Sequence, residues 1–198
     1  MPRDGNETRA RIIKAASRLF YSVGIKAVSV DAVAEKAGIT KKTLYYHFKS
    51  KDDLITEYLA MRDKPNLAIF ATWLSGAEGE LPDRVATMFR QLAITTIGQK
   101  RWRGCGFLRT AAELVDMPGH PAIKLASEHK KRLEGWLAGV IAEGGWRNPE
   151  MLARQISLLL DGAFSSALLH RDVAYVEAAG QAAAALLRAS EKVGRAQV

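Results

Sequence analysis

A three-residue corner constrains this chain more than any other feature. Gly38-Ile39-Thr40 separates two short stretches, Val30 to Ala37 and Lys41 to Phe48, whose composition and apolar spacing suit helices. Ser29 stands where its hydroxyl can take up a free N–H at the start of the first stretch, and Thr40 stands in the same place before the second. Gly38 supplies the left-handed backbone that stops a helix, and Ile39 plugs the corner. Small Ala34 and larger Leu44 are placed to pack across it, which is the pattern of a helix-turn-helix.

The rest of the chain reads as helical too. Strand-like alternation is never sustained, and Ala, Leu, Glu, Lys and Arg dominate. A helix from about Glu7 to Val23 carries Ile12, Ala16, Leu19, Phe20 and Val23 on one face, and Gly24 ends it. After the corner, Ser50 with Asp53 forms a variant capping box for a helix expected to break at Lys64-Pro65. Further breaks at Gly76–Gly79, Gly98–Gly106, Met117–Pro121, Gly144-Gly145 and Asn148-Pro149 separate the remaining helices. The expectation is an all-α protein of about nine helices: an N-terminal three-helix, helix-turn-helix domain over 1–50 and a C-terminal helical bundle over 51–198.

The second helix of the corner is unusual in what it leaves on its surface. Leu44 and Phe48, four apart, form its inner face, while Lys41, Lys42, Thr43, Tyr45, Tyr46 and His47 offer hydrogen-bond donors on the others. The stretch from Val30 to Leu54, above all Leu44-Tyr45-Tyr46-His47-Phe48 followed by Lys49-Ser50-Lys51, closely resembles the DNA-binding domain of TetR-family regulators. The resemblance covers about the first 60 of 198 residues. It implies that Lys41, Lys42 and Thr43 open a recognition helix and read base edges in the major groove. It also implies that Tyr45, Tyr46 and His47 grip phosphates or base edges, that Lys51 meets a phosphate, and that Ser29 doubles as cap and phosphate ligand. Asp31 is acidic where DNA would approach, and is left out of the contact set.

Charge agrees with this partner. Residues 1–62 hold 12 Lys and Arg against 7 Asp and Glu, a net charge of +5 within a total of +8, so positive charge is concentrated in the first third. The single cysteine, Cys105, excludes an intrachain disulfide and gives no zinc spacing, so the cytoplasm is the expected compartment. Met1 to Glu7 are polar and lack the apolar core of a signal peptide, and no apolar run approaches the length of a membrane span, so neither is expected. No nucleophile elbow, phosphate loop or helical His pair appears, so neither an enzyme nor any cofactor or metal is expected.

A lone helix-turn-helix binds DNA weakly, so two copies reading a palindromic operator are expected. In the TetR family the last two helices pair across a two-fold axis. Here small and aliphatic residues make Leu159, Ala163, Ser166, Ala167, Ala179, Ala183 and Leu186 the expected homodimer seam, the alternative being a core within one chain. For a small-molecule effector, the large apolar side chains Trp73, Phe89, Trp102, Phe107, Met117, Trp136 and Phe164 are candidate pocket walls. Asp161, a carboxylate among leucines, either pairs with a cation or faces that pocket, and Cys105, flanked by glycines near three arginines, is a further candidate. The expected function is a ligand-responsive repressor. The alternatives are an effector-independent or nucleoid-associated DNA-binding protein and a helical protein-interaction adaptor.

Overall fold

The computed structural model describes residues 5–193. Among them are nine α-helices and no strand: α1 Gly5–Ser22, α2 Val30–Ala37, α3 Lys41–His47, α4 Lys51–Ser75, α5 Leu81–Ile97, α6 Gly106–Glu113, α7 Pro121–Glu143, α8 Pro149–His170 and α9 Val173–Ala189. A single isolated bridge joins Trp146 to Lys192. No helix among the described residues is long and apolar enough to cross a membrane.

Local signals act where they were read. Ser29 accepts the N–H of Ala32 at 3.1 Å and Thr40 accepts that of Thr43 at 3.1 Å. Gly38 closes α2 at φ 66°, a left-handed value that costs a residue with a Cβ, and Ile39 returns its N–H to Ala34 O at 3.0 Å. At the start of α4, Ser50 Oγ accepts from Asp53 N–H at 3.0 Å. The Asp53 carboxylate reaches back to Lys49 N–H at 3.1 Å, one residue earlier than the usual capping box.

Two expectations need correction. The break at Lys64-Pro65 does not occur, because α4 runs on through Pro65 to Ser75. Proline removes one helical hydrogen bond, and here the carbonyl that loses its donor belongs to exposed Met61, where water can replace it. Val23, expected on the buried face of α1, is 57% exposed, because α1 ends at Ser22 and Gly24, at φ 114°, turns the chain away.

Packing divides the chain into two compact units, each with its own apolar core. One comprises the chain as far as Lys64 together with Cys105–Glu128, and the other comprises Pro65–Gly104 with the chain from His129 onward. The core of the first holds Ile12, Ala16 and Phe20 of α1, Val33 and Ala34 of α2, Leu44 of α3, and Leu54, Ile55 and Leu59 of α4, closed by Phe107, Leu114 and Ala122. This grouping follows packing; the division after residue 50 concerns function and returns below as a proposal.

In the second unit α9 lies along α5 and α8. At Gly180 it runs close against α5, where an added Cβ would stand 2.7 Å from Phe89 Cβ. The glycine lets fully buried Phe89 and Met88 face Val176 and Ala183 in one core, and side chains of that size each contribute about 1.5–3 kcal/mol when fully buried.

Candidate nucleic-acid interface

The surface of α3 is built on its buried side. Leu44 is fully buried and Phe48, just after the helix, is 2% exposed, and these two fix the rotation of a helix barely two turns long. That rotation leaves Lys41, Lys42, Tyr45 and Tyr46 exposed, with Thr43 and His47 half-buried beside them. Tyr46 is 85% exposed, a large aromatic ring with almost no cover of its own, and meets the His47 ring edge-on at 5.2 Å. The stripe therefore combines ammonium, phenol, imidazole and hydroxyl groups, all of which can donate to phosphate or base acceptors.

The hydroxyls of Thr40 and Thr43 lie 2.9 Å apart, so Thr43 is held by the cap at its own helix start. Lys41 is held as well: its ammonium donates to Asp31 Oδ2 at 2.9 Å, across the corner from α3 to the first turn of α2. That hydrogen bond, and then the attraction between the opposite charges, moves the Lys41 ammonium above the usual lysine range. Lys51, expected at a phosphate, opens α4. It is half-buried, donates to Lys26 O at 3.4 Å, and burial moves its ammonium below the usual lysine range against the opposing pull of Asp52 and Glu113. Ser29 is exposed while its oxygen caps α2.

The segment Cys105–Glu128 supports this unit from a distant part of the sequence. Glu113 accepts the Lys26 N–H at 3.0 Å, Asp116 pairs with the Lys26 ammonium at 3.2 Å, and Arg109 donates to Tyr21 O at 2.7 Å. His120, its side chain 1% exposed, accepts Ala122 N–H on Nδ1 at 3.0 Å, which places its proton on Nε2, 3.3 Å from Asp52 Oδ1. These contacts fasten the α1–α2 connection and the first turn of α4 within the unit.

The side chains expected in an effector pocket do not gather in one place. Phe107 is buried in the core of the first unit, with Cys105 half-buried against it, and Met117 is 46% exposed in a turn of the same unit. In the second unit Phe89 is fully buried in the core. Trp73, Trp102 and Phe164 do meet: Phe70 contacts Trp73 and Phe164 edge-on at 5.5 and 6.5 Å, and Trp102 lies nearly parallel to Phe164 at 6.3 Å. Asp161 forms an ion pair with Lys130, whose ammonium stands over Phe164 at 5.7 Å. Trp136 instead lines an open cleft of about 520 Å³ with Arg84, Ser75 and Glu143. Of the expected seam, Leu159, Ala163, Ser166, Ala179 and Leu186 line a groove of about 560 Å³ between α8 and α9. Ala167 and Ala183 do not: at 1% and 0% exposure they are spent inside their own chain, where small residues serve close helix packing equally well.

Similarity to known proteins bears directly on the corner. The pattern of the bacterial regulatory proteins, tetR family, matches residues 12–58, the stretch that holds α2, the turn and α3. The HTH-type transcriptional regulator SrpR of Pseudomonas putida is 39% identical over 62 residues, 31% of this chain and 29% of that one. The HTH-type transcriptional repressor KstR2 of Mycolicibacterium smegmatis is 26% identical over 148 residues, 70% of this chain and 67% of that one. SCO4454, a TetR-family transcriptional regulator from Streptomyces coelicolor, matches in its crystal structure with a TM-score of 0.76 at 29% identity, over 92% of this chain and 95% of that one. The amino-terminal stretch of this chain carries the TetR-family pattern. Its match spans less than a third of SrpR, so that likeness rests on the amino-terminal stretch, whereas the likeness to SCO4454 extends over nearly the whole chain. The family is one of regulators, not of enzymes.

Two features of the site were not evident in the sequence. Asp31 becomes meaningful only through Lys41, ten residues on and on another helix. The role of Glu113, Asp116 and His120 in bracing the amino-terminal unit depends on contacts across more than 60 residues of chain, for which no local pattern exists.

Proposed function

We propose that this protein is a transcriptional repressor that binds a palindromic operator as a homodimer in the cytoplasm and is released by a small apolar or amphipathic effector. Residues 1–50 carry the DNA-reading function, and residues 51–198 carry dimerisation and effector binding. The observation that carries the reading is the face of α3, where Lys41, Lys42, Tyr45 and Tyr46 stand exposed over buried Leu44. A capped helix of this size fits the major groove, with its N-terminal residues toward base edges. Lys41, Lys42 and Thr43 read bases; Tyr45, Tyr46, His47, Ser29 and Lys51 hold phosphates or neighbouring edges. The repressor assignment is supported by the name of KstR2.

The α8–α9 groove supports the dimer. It is lined by Leu158, Leu159, Ala182 and Leu186, and Leu158 is 66% exposed in a single chain. An apolar face of this kind is covered by a copy of itself in a two-fold pair, which presents α3 twice. The effector is held by the Trp73, Trp102 and Phe164 cluster with the Lys130–Asp161 pair as its polar element, while Cys105, Phe107 and Met117 belong to the other unit and take no part. An effector acts only through unequal affinity for the DNA-bound and free conformations.

Fluorescence anisotropy on a duplex selected from random sequence tests this. Affinity should fall steeply between about 50 and 200 mM salt, with a log–log slope of about −0.9 per neutralised phosphate. The selected site should be a palindrome bound at least ~1,000-fold more tightly than mixed sequence. A steep slope without sequence preference would mark a nucleoid-type protein instead, and no affinity for DNA would mark an adaptor.

A further inference from the structure

We infer that Asp31 is a specificity-determining residue that acts through Lys41, holding the Lys41 ammonium off the DNA backbone while leaving it able to read a base. The inference rests on the reading of α3 as the DNA-contacting helix. Three observations carry it. The carboxylate and ammonium are 2.9 Å apart across the corner, so the pair is neutral as a unit at the leading edge of an otherwise cationic face. Both partners are open to solvent, with side chains 53% and 64% exposed for Lys41 and Asp31, so burial does not force the pairing and the same surface would meet DNA. Both residues sit in first turns, fixed in place by Ser29 and Thr40, so the corner itself sets their separation.

A lysine ammonium is a point charge on a flexible four-carbon stem. Left alone at the tip of α3, Lys41 would find a phosphate on any duplex, adding affinity without information. Paired with Asp31 it contributes no net charge to that search. An ammonium has three N–H donors, so one bond to Asp31 leaves two for a guanine O6/N7 edge presented at the right place. Asp31 therefore favours the correct base over the uniform backbone: it aims Lys41 and repels misplaced phosphates. The acidic residue that looks unsuited to a DNA-binding face is what makes that face selective.

The test compares the wild-type chain, D31N, K41Q and the double variant on the selected operator and on a mixed-sequence duplex, with circular dichroism confirming equal helix content. In D31N the freed Lys41 gains a phosphate: mixed-sequence affinity rises roughly fivefold to tenfold near 0.1 M salt, the slope steepens by about 0.9, and the preference for the operator shrinks. In the K41Q background the Asp31→Asn change should alter the slope little, because the cation it releases is gone. Unchanged D31N slope and preference, in a wild-type protein that binds its operator, would overturn this inference alone. So would an equal D31N effect with and without Lys41, which would make Asp31 a general repulsive charge. A wild-type chain without salt-dependent DNA affinity would remove the DNA-reading function itself and the inference with it.

Discussion

The α2–α3 corner and the α8–α9 face solve opposite problems with opposite materials. At the corner, short helices are fixed by hydroxyl caps and a left-handed glycine, and the exposed surface is charged, aromatic and donor-rich. On α8 and α9, helices of 22 and 17 residues are held by apolar packing, and the surface left over is a groove of leucine and alanine. One surface suits a polyanion, the other a second copy of the chain. The difference teaches that the same helical fold can commit its outward residues to a polar or an apolar partner, depending on what the inward residues already satisfy.

The sharpest way to break that comparison is to make the apolar face polar. Leu158→Glu with Ala182→Glu places two carboxylates in the groove at exposed positions, neither of which packs against the buried core of α8 and α9. Sedimentation should show a monomer, and operator affinity should drop by about 100-fold to 10,000-fold, the gain that linking two binding modules confers. A variant that stays dimeric would move the seam elsewhere.

A smaller effect should follow from Gly180→Ala. The added Cβ meets Phe89 at 2.7 Å, so α9 or α5 must shift, at a cost of about 1–3 kcal/mol in thermal stability. Because the contact lies in the second unit, the α3 surface should be unchanged in its sequence preference. Smaller again, Ser29→Ala removes the oxygen that accepts Ala32 N–H and should cost about 1 kcal/mol, read by thermal melting. If Ser29 also holds a phosphate, affinity for every duplex falls with it; if it is only a cap, the affinity of the folded protein stays the same.

The corner was legible in the sequence because caps and glycine stops act within four residues. Ser29, Gly38 and Thr40 each do locally what their chemistry dictates. Pro65 was misread for the complementary reason: a proline's effect depends on whether the lost hydrogen bond is exposed, which is a tertiary fact. Ala167 and Ala183 show the same limit, since a small residue is equally suited to close packing within a chain and between chains. The aromatic residues could be recognised as buried, but spacing alone did not separate Phe107, in one core, from Trp102, in the other. Asp31 was set aside because its charge was weighed alone, whereas the structure gives it a partner.

The central claim is that α3 occupies the major groove twice, on a symmetric pair of subunits. Dimethyl sulphate footprinting of the operator complex reads it directly, because the reagent methylates guanine N7 in that groove. The account predicts two blocks of protected guanines, related by a dyad and centred ~34–36 Å apart or at a multiple of that spacing. Guanines that stay reactive throughout a complex that nonetheless forms, or a single unpaired block, would contradict it.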